Sequence, residues 1–156
     1  MFVTILIVLI VLIDQISKYL ANLRLNGAEA FSVIPGVLSF SYHENKGAAW
    51  GILANHRWVF MLLSTVAILL IIWYLIYTRK EKKPALLRLA LCFFVGGGIG
   101  NMIDRIYLGY VIDFLRFDFI DFPIFNVADS FITVGAVLLI LDLILETFAD
   151  KKKKNG

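Results

Sequence analysis

Four stretches of the chain are almost continuously apolar: residues 2–20, 58–77, 86–103 and 126–148. A helix on the surface of a soluble protein interrupts its apolar residues with polar ones every three or four positions. Runs of roughly 20 apolar residues instead predict helices that cross a bilayer. The second stretch carries no charge and has aromatic residues at both ends, as a helix anchored at two interfaces does. The first is unbroken to Ile13 and then admits Asp14, Gln15 and Lys18. No basic segment precedes it, and the small residues around Glu29 lie too far beyond its apolar part for a cleavage site, so it reads as an uncleaved span.

Between the spans the period changes. Residues 37–43 alternate Leu38, Phe40 and Tyr42 against Ser39, Ser41 and His43, which predicts a strand with one wet face. Pro35-Gly36 turns the chain into that strand, and Asn45-Lys46-Gly47 turns it out. Residues 114–125 gather aromatics around Arg116, Asp118 and Asp121, a pattern that leaves both a strand and an interfacial helix open.

Composition agrees with a membrane protein of one domain. The 156 residues are 60% hydrophobic and 17% charged, and the mean hydropathy is +0.84, far from the balance of a soluble domain. A formal charge of +3 suggests nucleic acid at first sight, but nine of the basic residues are Arg79, Lys80, Lys82, Lys83, Arg88 and Lys151 to Lys154. These flank apolar spans, so they mark topology and contacts with anionic lipid. The loop between the first two spans holds only Arg24, Lys46 and Arg57, and that between the last two only Arg105 and Arg116. Both termini are therefore expected in the cytoplasm, and residues 22–57 and 104–125 outside. The single cysteine, Cys92, lies within an apolar run and reads as a packing residue.

Ionisable residues in or beside a span are the informative ones, because each costs about 2.5–3.5 kcal/mol at a helix centre unless compensated. Asp14 and Lys18 stand one turn apart and can pair; Asn101, Asp104 and Arg105 share a face at the end of the third span. Asp142 and Glu146 are placed to reach the inner headgroups, and His43 and His56 to be solvated in the outer loop. Asp113 and Asp129 flank the second outer stretch, so four spans bring them to the same depth. Two carboxylates in a partly dry site share one proton, the arrangement that lets one take a proton from water while the other donates to a carbonyl oxygen. The alternative is two structural residues, with Asp129 capping the fourth helix beside Arg105 or Asp121. No zinc-binding His-Glu-x-x-His, serine elbow or phosphate loop is present, so neither metal nor cofactor is expected. Gly96 and Gly100 form a small-residue pair suited to close helix packing. A transport pathway would distribute its charges across the midplane, which these residues do not do. An assembly subunit would leave the aspartates without a role.

Five ordered motifs complete the reading: Asp14-Gln-x-x-Lys18, Asn45-x-Gly-Ala-Ala-Trp50, Gly97-Gly-x-Gly-Asn-x-x-Asp-Arg105, Val111-x-Asp-Phe114 and Phe125-Asn-x-Ala-Asp-Ser130. Together they resemble the bacterial lipoprotein signal peptidase family, although Glu44 and Trp50 stand where many members carry arginine and phenylalanine. The resemblance implies an all-α membrane protein of four transmembrane helices, with a small extracytoplasmic β-cradle and a second extracytoplasmic loop. It implies one aspartyl peptidase domain over residues 1–156, acting as a monomer in the cell membrane with its active site near the outer surface. Its substrates would be prolipoproteins already carrying a diacylglyceryl group, cut before the lipidated cysteine. Asp113 and Asp129 then correspond to the catalytic pair, and Asn45, Gly47, Asn101, Arg105 and Asn126 to residues supporting that pair or the substrate. Asp14, Lys18 and Asp104 correspond to structural polar residues.

Overall fold

The computed structural model of the protein describes residues 2–47 and 57–154; Trp50 and His56 lie outside the described residues. Four helices, α1 (Phe2–Leu25), α2 (Arg57–Tyr77), α3 (Ala85–Tyr107) and α4 (Val127–Lys154), are joined by strands β1 (Phe31–Ile34), β2 (Leu38–Asn45) and β3 (Val111–Phe117). The polarity is inside out relative to a soluble fold. Leu12, Ile16, Leu62, Trp73, Val137 and Leu145 are exposed, whereas Asp14, Lys18, Asn101, Asp104, Asp113 and Asn126 are buried. Only a hydrocarbon surround stabilises that arrangement, and this is a multi-pass membrane protein. Three helices, Phe2–Leu25, Ala85–Tyr107 and the Val127–Ala149 part of α4, are long and apolar enough to span. The expectation of four is met in helix number but not by this measure, since α2 qualifies among the described residues only as the shorter apolar run Met61–Tyr77.

α3 is the central helix, packed against α1, α2 and α4. Its glycines explain how. A Cβ on Gly96 would collide with Ile10, and one on Gly100 with Asp14, both on α1; Gly97 faces Ala128 and Ile132 on α4, and Gly98 faces Ile68 on α2. The pair expected at Gly96 and Gly100 therefore serves one neighbour, and the two glycines between them serve the others. Gly97→Ala would set a methyl 2.5 Å from the backbone oxygen of Ala128, which has no room to retreat. We expect it to destabilise the protein by about 1–3 kcal/mol. Gly98→Ala meets only the end of the Ile68 side chain, 3.0 Å away, and is expected to melt close to the parent in detergent.

α3 also runs beyond its expected end, so Asp104 and Arg105 belong to the helix and not to the outer loop. Leu108 caps it with its N–H 2.7 Å from the Asp104 carbonyl, and Gly109, at φ 86°, supplies the left-handed residue that ends a helix and redirects the chain. Asp142 differs from expectation as well: it is buried. It lies two heptads along α4 from Ala128 with Gly135 between them, and Gly135 packs on Ala90 and Phe93 of α3, so Asp142 is on the stripe facing α3. Glu146 is exposed.

The two stretches expected outside combine into one antiparallel sheet of order β1-β2-β3. Pro35 and Gly36 make the turn between β1 and β2, Gly36 having φ 71° and the Val37 N–H bonding the Ile34 carbonyl at 2.9 Å, as a proline-glycine turn of type II requires. The second stretch is not a separate loop over its whole length, because Val111–Phe117 is the third strand, paired with β2 from Leu38↔Phe117 to Asn45↔Val111. The face of β2 expected to be wet is exposed only at His43. Ser39 is buried, and its hydroxyl donates to Asp118. Beneath the sheet, Ala21 of α1 packs with Ile112 and Phe114 of β3, with Phe40, Tyr42 and Leu25 around them. This cluster fixes the sheet on the C-terminal end of α1 and delivers Asp113 to that same end of the helices.

Candidate active site

β3 begins with four consecutive buried residues, Val111 to Phe114. Neither face of the strand is free there: Ile112 and Phe114 enter the apolar cluster, and the other face turns Asp113 toward the helix ends. β3 is also tethered at its start, because the Ile112 N–H donates to the Asp104 carboxylate at 3.1 Å. Asp104 is therefore a clamp between α3 and the strand that carries Asp113.

Asp129 arrives by a different route. Asn126 caps α4, its Oδ1 accepting from the Asp129 N–H at 2.9 Å. In return the Asp129 carboxylate accepts from the Asn126 N–H at 3.2 Å. This reciprocal pair is a capping box. The capping role considered for Asp129 belongs to Asn126, and Asp129 is the second member of the box. A carboxylate in the first turn of a helix is also favoured by the helix dipole.

The two aspartates meet through Asn126. Its Nδ2 donates to Asp113 Oδ1 at 2.6 Å, while its backbone N–H holds Asp129. Asp113 Oδ2 accepts from Asn45 Nδ2 at 2.9 Å, and Asp129 Oδ1 from Asn101 Nδ2 at 2.7 Å. Each of the four carboxylate oxygens thus receives one N–H. Burial, and then the negative charge of Asp129, push Asp113 up to about 7, against the opposing pull of its bonds to Asn45 and Asn126 and the charge of Lys18.

Below the pair lies a buried ionic cluster. Lys18 Nζ is 2.9 Å from Asp14 and 3.1 Å from Asp104, and it donates to Asn101 Oδ1 at 2.8 Å. The expected pairing of Asp14 with Lys18 is present, but it is one edge of a larger network. Asp14 Oδ1 also accepts from the Ala128 N–H at 2.9 Å, so a residue of α1 helps to satisfy the first turn of α4. Arg105 reaches the Asn101 carbonyl at 3.3 Å and the Gly47 carbonyl at 3.4 Å, and lies near enough to act electrostatically on Asp129, Asp113 and Asp104.

All ten residues that the resemblance assigned to the site or its support are within this one network. The residue missed was Gln15, whose amide donates to Asp14 at 3.2 Å, to the Gly100 carbonyl at 3.1 Å and to Asp104 at 3.0 Å. Its place between Asp14 and Lys18 in the first motif was the available signal. His43, paired with Asp113 across the sheet, is exposed and takes no part in holding the aspartates.

A family model described as signal peptidase (SPase) II matches residues 6–145 of the chain. The chain belongs to the signal peptidase II family. It is 47% identical over 133 residues to the lipoprotein signal peptidase of Streptococcus thermophilus, covering 84% of each protein. With the lipoprotein signal peptidase of Enterococcus faecalis the identity is 43% over 148 residues, covering 95% of this chain and 91% of the other. The fold is similar to that of a bacterial membrane enzyme solved by the in meso method at 2.3 Å resolution, with a TM-score of 0.83 and 32% identity over 94% of this chain and 89% of that one. The family resemblance drawn from the five motifs is correct, and the chain is an aspartic endopeptidase.

Proposed function

We propose that Asp113 and Asp129 activate one water between them and direct it at a peptide carbonyl. One observation carries this reading: a single residue, Asn126, holds both carboxylates, by its side chain on one and its backbone N–H on the other. Two acidic groups so placed in a buried site retain one proton between them. Asp113, pushed up by burial and by its carboxylate neighbour, keeps that proton. Asp129 takes a proton from the water as its oxygen attacks the carbonyl carbon, and Asp113 donates to the carbonyl oxygen as that oxygen gains charge. Return of a proton to the nitrogen of the scissile bond then releases the amine and leaves a carboxyl terminus. Asn45, Asn101 and Asn126 hold the carboxylates, and Arg105 and Gly47 border the space left for the substrate backbone.

The enzyme removes signal peptides from diacylglyceryl-modified prolipoproteins by cutting before the lipidated cysteine. We read α2 as the fourth span, so that the basic Arg79 to Arg88 loop and the lysine tail lie together in the cytoplasm. The aspartates are then near the outer surface, in a single peptidase domain that works as a monomer. There the acyl chains of a substrate remain in the bilayer while its peptide enters among the polar residues. Lipid anchoring supplies affinity that the peptide alone lacks. Purified protein in bilayers is expected to process a lipidated precursor and to leave its unlipidated counterpart nearly untouched. Equal rates on the two would contradict this assignment.

The reaction also has an expected pH dependence. Asp113 is useful only while protonated, and its titration near 7 means that raising the pH through that value removes the donor. Cleavage under kcat/KM conditions should therefore fall on the alkaline side of about pH 7. A profile flat to about pH 9 would exclude Asp113 as the donor.

A further inference from the structure

Three side-chain amides touch the aspartate pair, and each is set in one orientation by a group that can only donate. The Gly47 N–H donates to Asn45 Oδ1 at 3.0 Å, which turns Asn45 Nδ2 to Asp113. The Asp129 N–H donates to Asn126 Oδ1, which turns Asn126 Nδ2 to Asp113. Lys18 Nζ donates to Asn101 Oδ1, which turns Asn101 Nδ2 to Asp129. The two ends of a carboxamide have nearly the same shape, so packing alone does not choose between them; an ammonium or a backbone N–H, having no acceptor, does. Two of the three selectors are main chain and survive any side-chain change. The third is the side chain of Lys18.

We infer that Lys18 is a positioning residue for the cleavage reaction: by fixing the amide of Asn101 it ensures that Asp129 meets an N–H and not a carbonyl oxygen. The inference rests on Asp113 and Asp129 being the catalytic pair. Asn126 Nδ2 also donates to Asn101 Oδ1, but at 3.1 Å and while engaged at 2.6 Å with Asp113, so Lys18 at 2.8 Å is the nearer partner of Asn101. A reversed Asn101 would place oxygen against oxygen beside Asp129 and would remove a donor from the carboxylate that must take the proton of water. Lys18 never reaches the reacting atoms in this scheme. It acts through Asn101.

Lys18→Gln, whose own amide can face Asn101 either way, tests the inference in the purified full-length enzyme with a lipidated precursor. Loss of one charge-assisted bond in the reacting geometry is expected to lower kcat about 10- to 100-fold with KM nearly unchanged. A fall in kcat per folded molecule at unchanged KM is the readout that a merely structural role would not move; the pH profile reports the charge of Lys18 at Asp113 separately. The charged groups that act on Asp113 are Asp129 from α4, Lys18 from α1 and Arg105 from α3, with exposed His43 opposite it on β2. Removing the Lys18 cation from that set favours protonated Asp113, so the falling limb should move to higher pH. Lys18→Arg, an obligate donor, should retain more kcat than Lys18→Gln. If Lys18→Gln does not fold, Lys18→Gln with Asp104→Asn takes its place and is read by kcat alone, because it removes one cation and one carboxylate and leaves the cluster's net charge unchanged. Wild-type kcat per folded molecule in the folded variant overturns the inference. An inactive Asp113→Asn beside such a result leaves the catalytic pair standing, whereas an active Asp113→Asn removes the pair itself.

Discussion

Asp113→Asn is expected to lower the rate of lipidated-precursor cleavage by about 10³, with the protein still folded and inserted. The substitution keeps the shape of the side chain and an acceptor for one of its two amide donors, but it cannot exchange a proton with the carbonyl oxygen. Stability should not fall, because a buried carboxyl beside a second carboxylate is replaced by a neutral group. Asp129→Asn should cost a similar factor for the complementary reason: an amide does not accept the proton of an attacking water. It keeps an oxygen for the N–H of Asn126, so the start of α4 survives. The double variant should be little slower than either single one, since residues that act as a unit lose their contribution together. Single-turnover assays on purified variants, with thermal melts in the same detergent, separate lost chemistry from lost fold.

The second large effect is on stability. Lys18 is 2% exposed and is the cation between Asp14 and Asp104. Truncation to alanine would leave two buried carboxylates without their partner, and breaking a buried ion pair from one side typically destabilises by about 3–5 kcal/mol. We expect Lys18→Ala to melt far below the parent at neutral pH. A melting temperature close to the parent's would show that the cluster does not hold α1 to α3.

The helices were legible in the sequence because hydrocarbon imposes a simple demand. Every span must be long and apolar, so the positions that break the rule, such as Asp14, Lys18 and Asn101, stand out. Helix ends were less legible. α1 and α3 each continue past the apolar run because their last turns pack under the sheet: Ala21 and Leu25 are apolar contacts there, but Asp104 is a clamp that hydropathy reads as loop. β3 was hidden for a related reason, since Val111 to Phe114 is buried on both faces and lacks the alternation that reveals a half-exposed strand. β1 has only four residues, all exposed, and gave no periodic signal.

The site divided along the same line. Asp113 and Asp129 could be brought to one depth by topology, and the five motifs supplied the polar residues around them. Their connectivity was not readable. That Asn126 caps α4 while holding both aspartates, or that Asp14 reaches across to the Ala128 N–H, depends on the close approach of α1, α3 and α4. The glycines that permit this approach were visible, but not which helix each one faces.

A complex with a lipidated peptide analogue bearing a tetrahedral hydroxyl in place of the scissile carbonyl tests the chemistry most directly. Its structure should place that hydroxyl within about 2.6–3.2 Å of one oxygen from Asp113 and one from Asp129. A hydroxyl bonded to only one of them, or seated against other residues, would contradict the account.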